Sequence, residues 1–264
     1  MKFKLTTLAI LFLALLATAC KDEKGGAMQF TLEGTLNGAA GKTLYIEEMT
    51  PDNGALFLDS LVCDQKGHFS YKGTMNYQTF YNLHTSQYEY IVLLPDDKEH
   101  IVISGDFVQM GEHYQVSGSK GSQQMWEIQN HINNANHVIA DIAQRDQYNK
   151  ANLNAADYER AHQETDSIFI AERQLIYVTF YNFIEDHRGS LSTLYAIDAP
   201  FNHTGRVFYA EPDFEVFEMV LSGLLDSVAD NPHTQYYKTR VERARSARMM
   251  AQQQQQPGQE IIIK

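Results

Sequence analysis

The chain has 264 residues, of which 44% are hydrophobic and 20% charged, and its 33 acidic and 21 basic residues give a formal net charge of −12. This composition is typical of a globular protein and excludes both a disordered chain and a polytopic membrane protein. The acidic balance argues against nucleic acid as a partner, because binding phosphates requires clustered Lys and Arg.

Residues 1–19 have the features of a secretory signal peptide. Lys2 and Lys4 give a basic start, an apolar run extends from Leu5 to Ala17, and two small residues follow. The run is shorter than the ~20 residues that span a bilayer, so a transmembrane anchor is the weaker interpretation.

The end of this segment, Leu16 to Cys20, resembles the lipobox of bacterial lipoproteins. In that family the cysteine is diacylated, becomes the new N-terminus and is acylated again, so the resemblance implies that Cys20 is the site of lipid attachment. Ala17 departs from the pattern, since the family usually has Leu at this place. Several acyl chains would anchor the protein stably, because each buried methylene contributes ~0.8 kcal/mol. An ordinary signal peptide followed by a chance cysteine is the alternative.

The residues after the cysteine form a predicted lipidated tether over residues 20–27. Lys21, Asp22 and Glu23 resemble the signal that exports Bacteroidota lipoproteins to the cell surface. The resemblance implies a protein of the outer membrane that is exposed on the cell surface. A plain solvated tether on the periplasmic face of the outer membrane is the alternative.

Residues 28–118 are predicted to form an antiparallel β-sandwich-like domain, because short strand patterns alternate with turn residues and no long helical pattern intervenes. Asn37 and Gly38 form a strong hairpin signal after the first strand. The predicted strands are Phe30–Leu36, Thr43–Ile46, Leu56–Val62, His68–Tyr71, Phe80–His84, Tyr88–Leu94 and His100–Ser104.

Residues 119–251 are predicted to form a segregated helical domain, which makes the fold class α+β. An apolar stripe from Met125 to Ile142 has helical spacing. Asn154 caps a second helix, whose later half, Ile168 to Ile184, is apolar enough to be largely buried. A short helix over about residues 190–197 and two helices opened by Pro212 and Pro232 complete the domain. The glutamine-rich residues 252–264 are predicted to be a disordered tail.

Several strand and turn patterns resemble a β-rich domain of unknown function in Bacteroidota lipoproteins. In that family a helical linker and then a thioredoxin-like thiol-disulfide oxidoreductase domain follow the β-domain, and Phe183–His187 with Ser190, Ser192 and Tyr195 is similar to the linker. The patterns are Leu58–Val62, Gly67–Gly73, Leu93–Pro95, Ile101–Asp106 and Val116–Ser119.

The redox activity of that family is not expected here, because the sequence contains no Cys-x-x-Cys pair. Either this is a family member without the redox domain, or the chain is truncated before it. Cys63, at the end of an apolar strand, is predicted to be a small buried hydrophobe rather than a redox or nucleophilic thiol.

The other candidate sites each have a structural interpretation that is favoured. His137 and Asp141 share a helix face but lack a third metal ligand, so no metal or other cofactor is predicted. Gly118 to Ser122 is interpreted as a turn and helix cap rather than an anion cradle. No catalytic constellation is found, so the protein is predicted not to be an enzyme.

Three further groups of residues are candidates for contact with a partner, a modification or a ligand. The basic run from Lys238 to Arg248 is interpreted as complementing acidic neighbours, with a docking surface for a partner or anionic lipid as the alternative. Ser60, Ser167 and Ser227 lie in Asp-Ser-apolar triplets that resemble O-glycosylation acceptors of Bacteroidota envelope proteins.

Finally, the aromatic residues Phe80, Tyr81, Tyr88 and Tyr90 are interpreted mainly as core, with ligand contact as the alternative.

The function that the sequence favours is a non-catalytic, lipid-anchored envelope protein that serves binding or interaction with an unknown envelope or extracellular partner. An accessory or truncated form of a thiol-disulfide oxidoreductase is the first alternative. A nutrient-binding partner of an outer-membrane transporter is a third hypothesis, which no residue favours.

Overall fold

The computed structural model describes residues 27–52, 54–86, 89–201 and 205–254. The strand-rich part comprises β1 Met28–Asn37, β2 Thr43–Met49, β3 Ala55–Val62, β4 His68–Met75, β5 Phe80–Ser86, β6 Glu89–Leu93, β7 His100–Asp106 and β8 Tyr114–Ser117. The helical part comprises α1 Lys120–Asn152, α2 Ala155–Asp186, α3 Ser192–Ile197, the short strands β9 Pro200–Phe201 and β10 Gly205–Arg206, α4 Phe214–Val228 and α5 Pro232–Gln254. The predicted α+β class is confirmed.

The first eight strands form two four-stranded sheets, in the orders β4-β1-β7-β8 and β3-β2-β5-β6. Apolar side chains from both sheets meet in one core, where the rings of Phe30 on β1 and Tyr81 on β5 lie 4.9 Å apart between centroids. Most neighbouring strands are antiparallel. This arrangement is the predicted β-sandwich.

One pair of neighbouring strands in the sandwich is parallel, whereas its other pairs are antiparallel, as the sequence predicts. β1 lies between β4, to which it is antiparallel, and β7, to which it is parallel from Thr31 opposite His100 to Asn37 opposite Asp106. Between β1 and β7 the chain contributes two pairs of strands, β2 with β3 and β5 with β6, to the second sheet. These strands provide the crossover that a parallel pair requires, so no helix is needed for it.

The hairpin predicted at Asn37 and Gly38 is wrong. Gly38 and Gly41 both have positive φ, at 80° and 67°, so the chain does turn there. However, β2 pairs with β3 and β5 rather than with β1. The link instead crosses from the first sheet to the second and places Ala39 in the core between them. The turn residues specify local dihedral angles, but they do not specify which sheet the next strand joins.

The helices pack on the outer face of the second sheet, so β5 and β6 are buried on both faces. Tyr81 and Leu83 of β5 lie in the sandwich core, whereas Phe80 belongs to the core shared with the helices. Val92 and Leu94 face the helices in the same way. The run Ile91–Leu94 is therefore continuously apolar, as is typical of strands covered on both sides.

Gly118 to Ser122 forms the turn and helix cap predicted from the sequence. Ser119 is the N-cap of α1, and its hydroxyl oxygen accepts a hydrogen bond from the backbone N–H of Ser122 at 3.1 Å. The Ser122 hydroxyl in turn accepts from the backbone N–H of Leu94 at 3.1 Å. These bonds fix the start of α1 against the end of β6, which lines up the helical part with the second sheet.

The later half of α2 is less buried than its composition predicts. Ile176, Phe180, Phe183 and Ile184 are buried, but Ile170 is 67% exposed and Leu175 is 60% exposed. A single helix packed on one side can bury only one stripe of its surface. Apolar density alone therefore overestimated the burial of residues 168–184.

Two helix ends differ from the predicted boundaries. α4 begins at Phe214 with Asp213 as its N-cap, so Pro212 lies before the helix rather than in its first turn. α5 continues to Gln254, so residues 252–254 are helical although they were predicted as part of the disordered tail. Glutamine is a good helix former, and low complexity by itself does not end a helix. Residues 255–264 lie outside the described residues.

Candidate functional site

A cavity of about 310 Å³ lies between the outer face of the second sheet and the helices. The sheet contributes residues from the end of β2, the turn after it, β5 and β6, and the helical part contributes α1, α3, β9 and α5. The lining residues are Met49, Thr50, Pro51, Phe80, Tyr90, Gln129, Ile132, Leu194, Tyr195, Asp198, Ala199, Pro200, His233, Tyr236, Tyr237 and Arg240.

The side chains that line the cavity differ in polarity and exposure between its buried part and its open end. Phe80 and Ile132 are only 6% and 5% exposed, so they form its inner wall. Tyr236 is 46% exposed and marks the open end, together with the half-buried side chains of Asp198 and Arg240. A concave apolar site with a few polar groups is the usual form of a small-molecule site.

Two tyrosines on opposite walls are joined by a hydrogen bond. Tyr90 comes from β6 and Tyr195 from α3, and their phenol groups are bonded to each other. Burial raises the pKa of Tyr195 well above its ordinary value, and the neighbouring Tyr90 raises it further. The Tyr195 phenol is therefore neutral at physiological pH, and both residues present rings and hydroxyl groups to the cavity.

Asp198, the residue that ends α3, accepts hydrogen bonds from two guanidinium groups. The Nη2 atom of Arg240 lies 2.6 Å from its Oδ1 atom, and the Nη1 atom of Arg240 donates to Oδ2. The Nη1 atom of Arg206 lies 2.6 Å from the same Oδ1 atom. The hydrogen bond to Asp198 raises the pKa of Arg240. Three separate elements, α3, β10 and α5, are thus held together at the open end.

His233 lies in a buried polar network at the start of α5. Its Nε2 atom is 2.9 Å from the Thr79 hydroxyl oxygen, which also donates to the backbone carbonyl of Met49 at 3.1 Å. Asn231 accepts from the backbone N–H of His233 at 2.9 Å and donates to the carbonyl of Gln78 at 2.8 Å. Burial lowers the pKa of His233 to about 4. The network ties α5 to the loop before β5.

The pair of Thr79 and His233 does not form an activated nucleophile. The Thr79 hydroxyl has one hydrogen, which it donates to the Met49 carbonyl, so Nε2 of His233 is the donor to the Thr79 oxygen. A general base would have to accept that hydrogen instead. Thr79 is also 0% exposed, so a substrate cannot reach its oxygen.

The predicted aromatic group divides between two environments. Phe80 and Tyr90 line the cavity, and Tyr81 lies in the sandwich core. Tyr88 lies outside the described residues. Burial of Phe80 and Tyr81 fits the core interpretation, and the two side chains enter different cores because successive side chains of a strand point to opposite faces. Ligand contact at Phe80 and Tyr90 stays a prediction.

Cys63 is 2% exposed and lies in the sandwich core, which confirms the prediction of a small buried hydrophobe. Burial raises the pKa of its thiol, and the neighbouring carboxylate of Asp64 adds to the effect. The thiol is therefore protonated at neutral pH, which is the unreactive form of cysteine.

His137 pairs with a carboxylate other than that of Asp141, which shares its helix face. Its Nε2 atom lies 3.4 Å from a carboxylate oxygen of Glu112, in the loop before β8. Asp141 does not take part in this contact. Across residues 27–52, 54–86, 89–201 and 205–254, no group of three or more His, Cys, Asp or Glu side chains is arranged to hold a metal ion.

The basic run on α5 pairs with acidic neighbours, as its first interpretation states. Arg240 bonds Asp198, and the Nη2 atom of Arg245 lies 2.8 Å from a carboxylate oxygen of Glu218 on α4. Arg248 stacks over the ring of Phe214, with its guanidinium carbon 5.2 Å from the ring centroid. These contacts hold α5 against α3 and α4.

The three predicted glycosylation serines all lie on the surface. Ser60 is exposed on β3, and Ser167 is exposed on α2, where its hydroxyl donates to the carbonyl of Gln163 at 2.8 Å. Ser227 is exposed in the last turn of α4, close to Gly189. Ser60 has the most extended backbone of the three. Modification of these residues stays a prediction.

The predicted lipid-attachment residue Cys20 and the predicted export signal Lys21, Asp22 and Glu23 lie outside the described residues. Within the described part of the chain, no helix is long and apolar enough to cross a bilayer.

Sequence reasoning missed most of the cavity residues. Tyr195 and Asp198 come from α3 and its C-terminal end, whereas His233 comes from α5, and these elements meet only after folding. The one available signal was Arg240, which belongs to the basic run of α5. The charge of this run indicates that an acidic residue elsewhere in the fold pairs with it. No local pattern indicates that Asp198 is that partner.

Comparison with known proteins gives limited information about this architecture. Neither the curated proteins nor the solved structures contain a match to the chain. The helices α3 and α5, which supply much of the cavity, lie outside residues 30–125, where a family model matches the chain. Over residues 30–125, which cover the sandwich and the start of α1, the chain is similar to the family described as domain of unknown function (DUF4369).

Proposed function

We propose that the protein is a non-catalytic, lipid-anchored protein of the cell envelope whose folded body binds a small molecule in the cavity between the second sheet and the helices. The aromatic cavity is the observation on which this proposal rests. Its volume of about 310 Å³ is within the range of small-molecule sites.

The cavity has the features expected of a binding site rather than of a packing defect. Packing defects in cores are small and apolar, whereas this space opens to solvent at Tyr236 and is lined by the amide of Gln129 and by four tyrosines. Its walls come from elements that are fixed by hydrogen bonds, such as the Asp198–Arg240 pair. A fixed wall lowers the entropy that binding must overcome.

The position at the membrane rests on the sequence. Residues 1–19 and Cys20 fit lipid attachment, and Lys21, Asp22 and Glu23 fit export to the outer face of the outer membrane. Burial of Cys63 and its raised pKa favour a binding role over thiol chemistry in the sandwich domain.

Binding in the cavity is tested with the neutral apolar dye N-phenylnaphthylamine, which fluoresces in apolar surroundings. The full chain is reconstituted in phosphatidylcholine nanodiscs, and the signal of empty nanodiscs is subtracted. Leu194→Trp places a larger side chain in the cavity and is expected to weaken dye binding about tenfold, because the cavity loses space for the dye. The dye is excited outside the tryptophan absorption band.

Leu225→Trp, at a leucine on α4 that is 36% exposed and does not line the cavity, is the matched control and should bind the dye like the unchanged protein. Circular dichroism checks that both variants are folded. If the unchanged protein does not bind the dye, or if both variants bind it equally well, the cavity is not the binding site.

The anchor is tested with Cys20→Ser. We expect the unchanged protein to fractionate with membranes and to have the intact mass of a triacylated chain that begins at Cys20. The variant should lose the lipid mass and the anchoring that comes with it, because several acyl chains are needed for stable attachment. Protease treatment of whole cells then separates surface exposure from a periplasmic position. An intact mass without lipid in the unchanged protein would refute the anchor.

A further inference from the structure

The open end of the cavity carries more positive than negative charge, although the whole chain has a net charge of −12. The cavity is lined by one carboxylate, that of Asp198, and one guanidinium, that of Arg240. A second guanidinium, that of Arg206, bonds the same carboxylate. His233 is neutral at physiological pH because burial lowers its pKa to about 4. The charged groups at this end therefore sum to one positive charge.

The two guanidinium groups have donors beyond those that Asp198 uses. Each guanidinium carries five N–H groups. The bonds to Asp198 use two of those on Arg240 and one on Arg206. The remaining N–H groups belong to Arg240, which lines the cavity, and to Arg206, which bonds Asp198 from beside it. Charge-assisted bonds from such groups to an oxyanion are stronger than neutral ones.

Aromatic rings hold the Arg240 guanidinium in place. Its central carbon lies 5.4 Å from the ring centroid of Phe217 and 5.7 Å from that of Tyr237. The hydroxyl of Tyr237 is itself bonded to the carbonyl of Phe217 at 3.2 Å. A guanidinium that is stacked and paired loses little further freedom on binding an anion.

The inner part of the cavity has the opposite character. Phe80 and Ile132 are buried, and the Tyr195 phenol, which is hydrogen-bonded to Tyr90, is neutral. An apolar group would be stabilised there by about 25 cal/mol for each Å² of its surface removed from water. A second charge would lose hydration without gaining a partner.

From this gradient we propose that the ligand is an amphiphile with a single oxyanion head, which binds at Asp198, Arg206 and Arg240, and an apolar body that lies against Phe80 and Ile132. This inference rests on the proposed function, because it assigns a ligand class to the same cavity. The apolar body explains the aromatic wall, and the single negative charge matches the single excess positive charge.

The test compares two dyes that differ by one charged group. Anilinonaphthalene sulfonate has the apolar body of N-phenylnaphthylamine and adds a sulfonate, so it stands for the amphiphilic anion. Both are titrated into the full chain in phosphatidylcholine nanodiscs, with empty nanodiscs subtracted. Arg206→Gln should weaken the sulfonate dye about threefold, because the removed charge is partly exposed and screened. Asp198→Asn should strengthen it by a similar factor.

The neutral dye should bind Arg206→Gln within about twofold of the unchanged protein, since Arg206 does not line the cavity and the dye has no charge for it to attract. Asp198→Asn also alters a wall of the cavity, so its effect on the sulfonate dye is measured relative to its effect on the neutral dye. Arg245→Gln is the matched control. It removes a guanidinium from α5, the helix of Arg240, but Arg245 pairs with Glu218 and does not line the cavity, so this variant should change the binding of neither dye. Raising the salt concentration should weaken only the sulfonate dye.

The outcomes separate this inference from the proposed function. If both dyes bind and Leu194→Trp weakens both, but neither charge variant changes the sulfonate dye, the cavity is a binding site and the assignment of an anionic ligand is wrong. If neither dye binds the unchanged protein, the proposed function is wrong and the inference falls with it. Opposite shifts for Arg206→Gln and Asp198→Asn, seen only with the sulfonate dye, support the inference.

Discussion

Gly118→Ala is expected to destabilise the protein by about 3–5 kcal/mol. Gly118 has a φ of 81°, a conformation in which an L-residue is strained by ~1–2 kcal/mol. An added Cβ would also overlap the backbone carbonyl oxygen of His100 on β7, which cannot move without breaking strand pairs. Chemical unfolding followed by circular dichroism measures the change in the free energy of unfolding.

Gly38→Ala is the matched control for the backbone strain alone. Gly38 has nearly the same φ, 80°, but among the described residues no atom lies within 4 Å of the position of its Cβ. We expect this variant to lose only about 1 kcal/mol. Equal losses in the two variants would mean that the contact between Gly118 and β7 contributes nothing.

Stability is expected to fall as the pH decreases from about 6.5 to about 4, with a contribution of about 3 kcal/mol from His233. Burial lowers the pKa of His233 to about 4 in the folded protein, whereas in the unfolded chain it titrates near 6.5. Between these values only the unfolded chain binds the proton, so acid favours unfolding. The free energy of unfolding, measured in urea at several pH values, gives this loss directly.

His233→Gln removes the titrating group and keeps a side-chain N–H that can donate to Thr79. The variant should therefore lose less stability than the unchanged protein over the same pH range. His162→Gln is the control, because the hydrogen bond to Asp146 raises the pKa of His162 and makes its contribution opposite in sign. The variant at His162 should keep the full acid-induced loss. An unchanged loss in His233→Gln would contradict the assignment.

The strands and helices could be predicted because their signals are local. Alternating side chains and turn residues located seven of the strands, and Asn154 located the start of α2, where it accepts hydrogen bonds from the backbone N–H groups of Ala156 and Asp157. β8, only four residues long, was too short to give such a pattern. Local dihedral preferences and capping groups are written in a few neighbouring residues.

The strand pairing and the cavity could not be predicted because they depend on distant residues. Nothing near Asn37 indicates that β1 pairs with β7 rather than with β2. Similarly, the bond between Asp198 and Arg240 joins two helices whose approach is set by packing on the second sheet. Phe80 and Tyr90 could be named as candidates, but their strand positions do not tell which of two buried faces lines a cavity.

The order in which the chain contributes strands to the two sheets also constrains how the protein can fold. The first sheet takes its central pair from residues 28–37 and 100–106, while the second sheet is built from segments that lie between them in the chain. During synthesis, β1 cannot pair with its parallel partner until nearly the whole sandwich has been made. Such long-range pairing slows folding, because the loop must close before its contacts can form. Until β7 arrives, one edge of β1 offers its backbone groups to other chains, so this strand is the segment that most needs protection from aggregation.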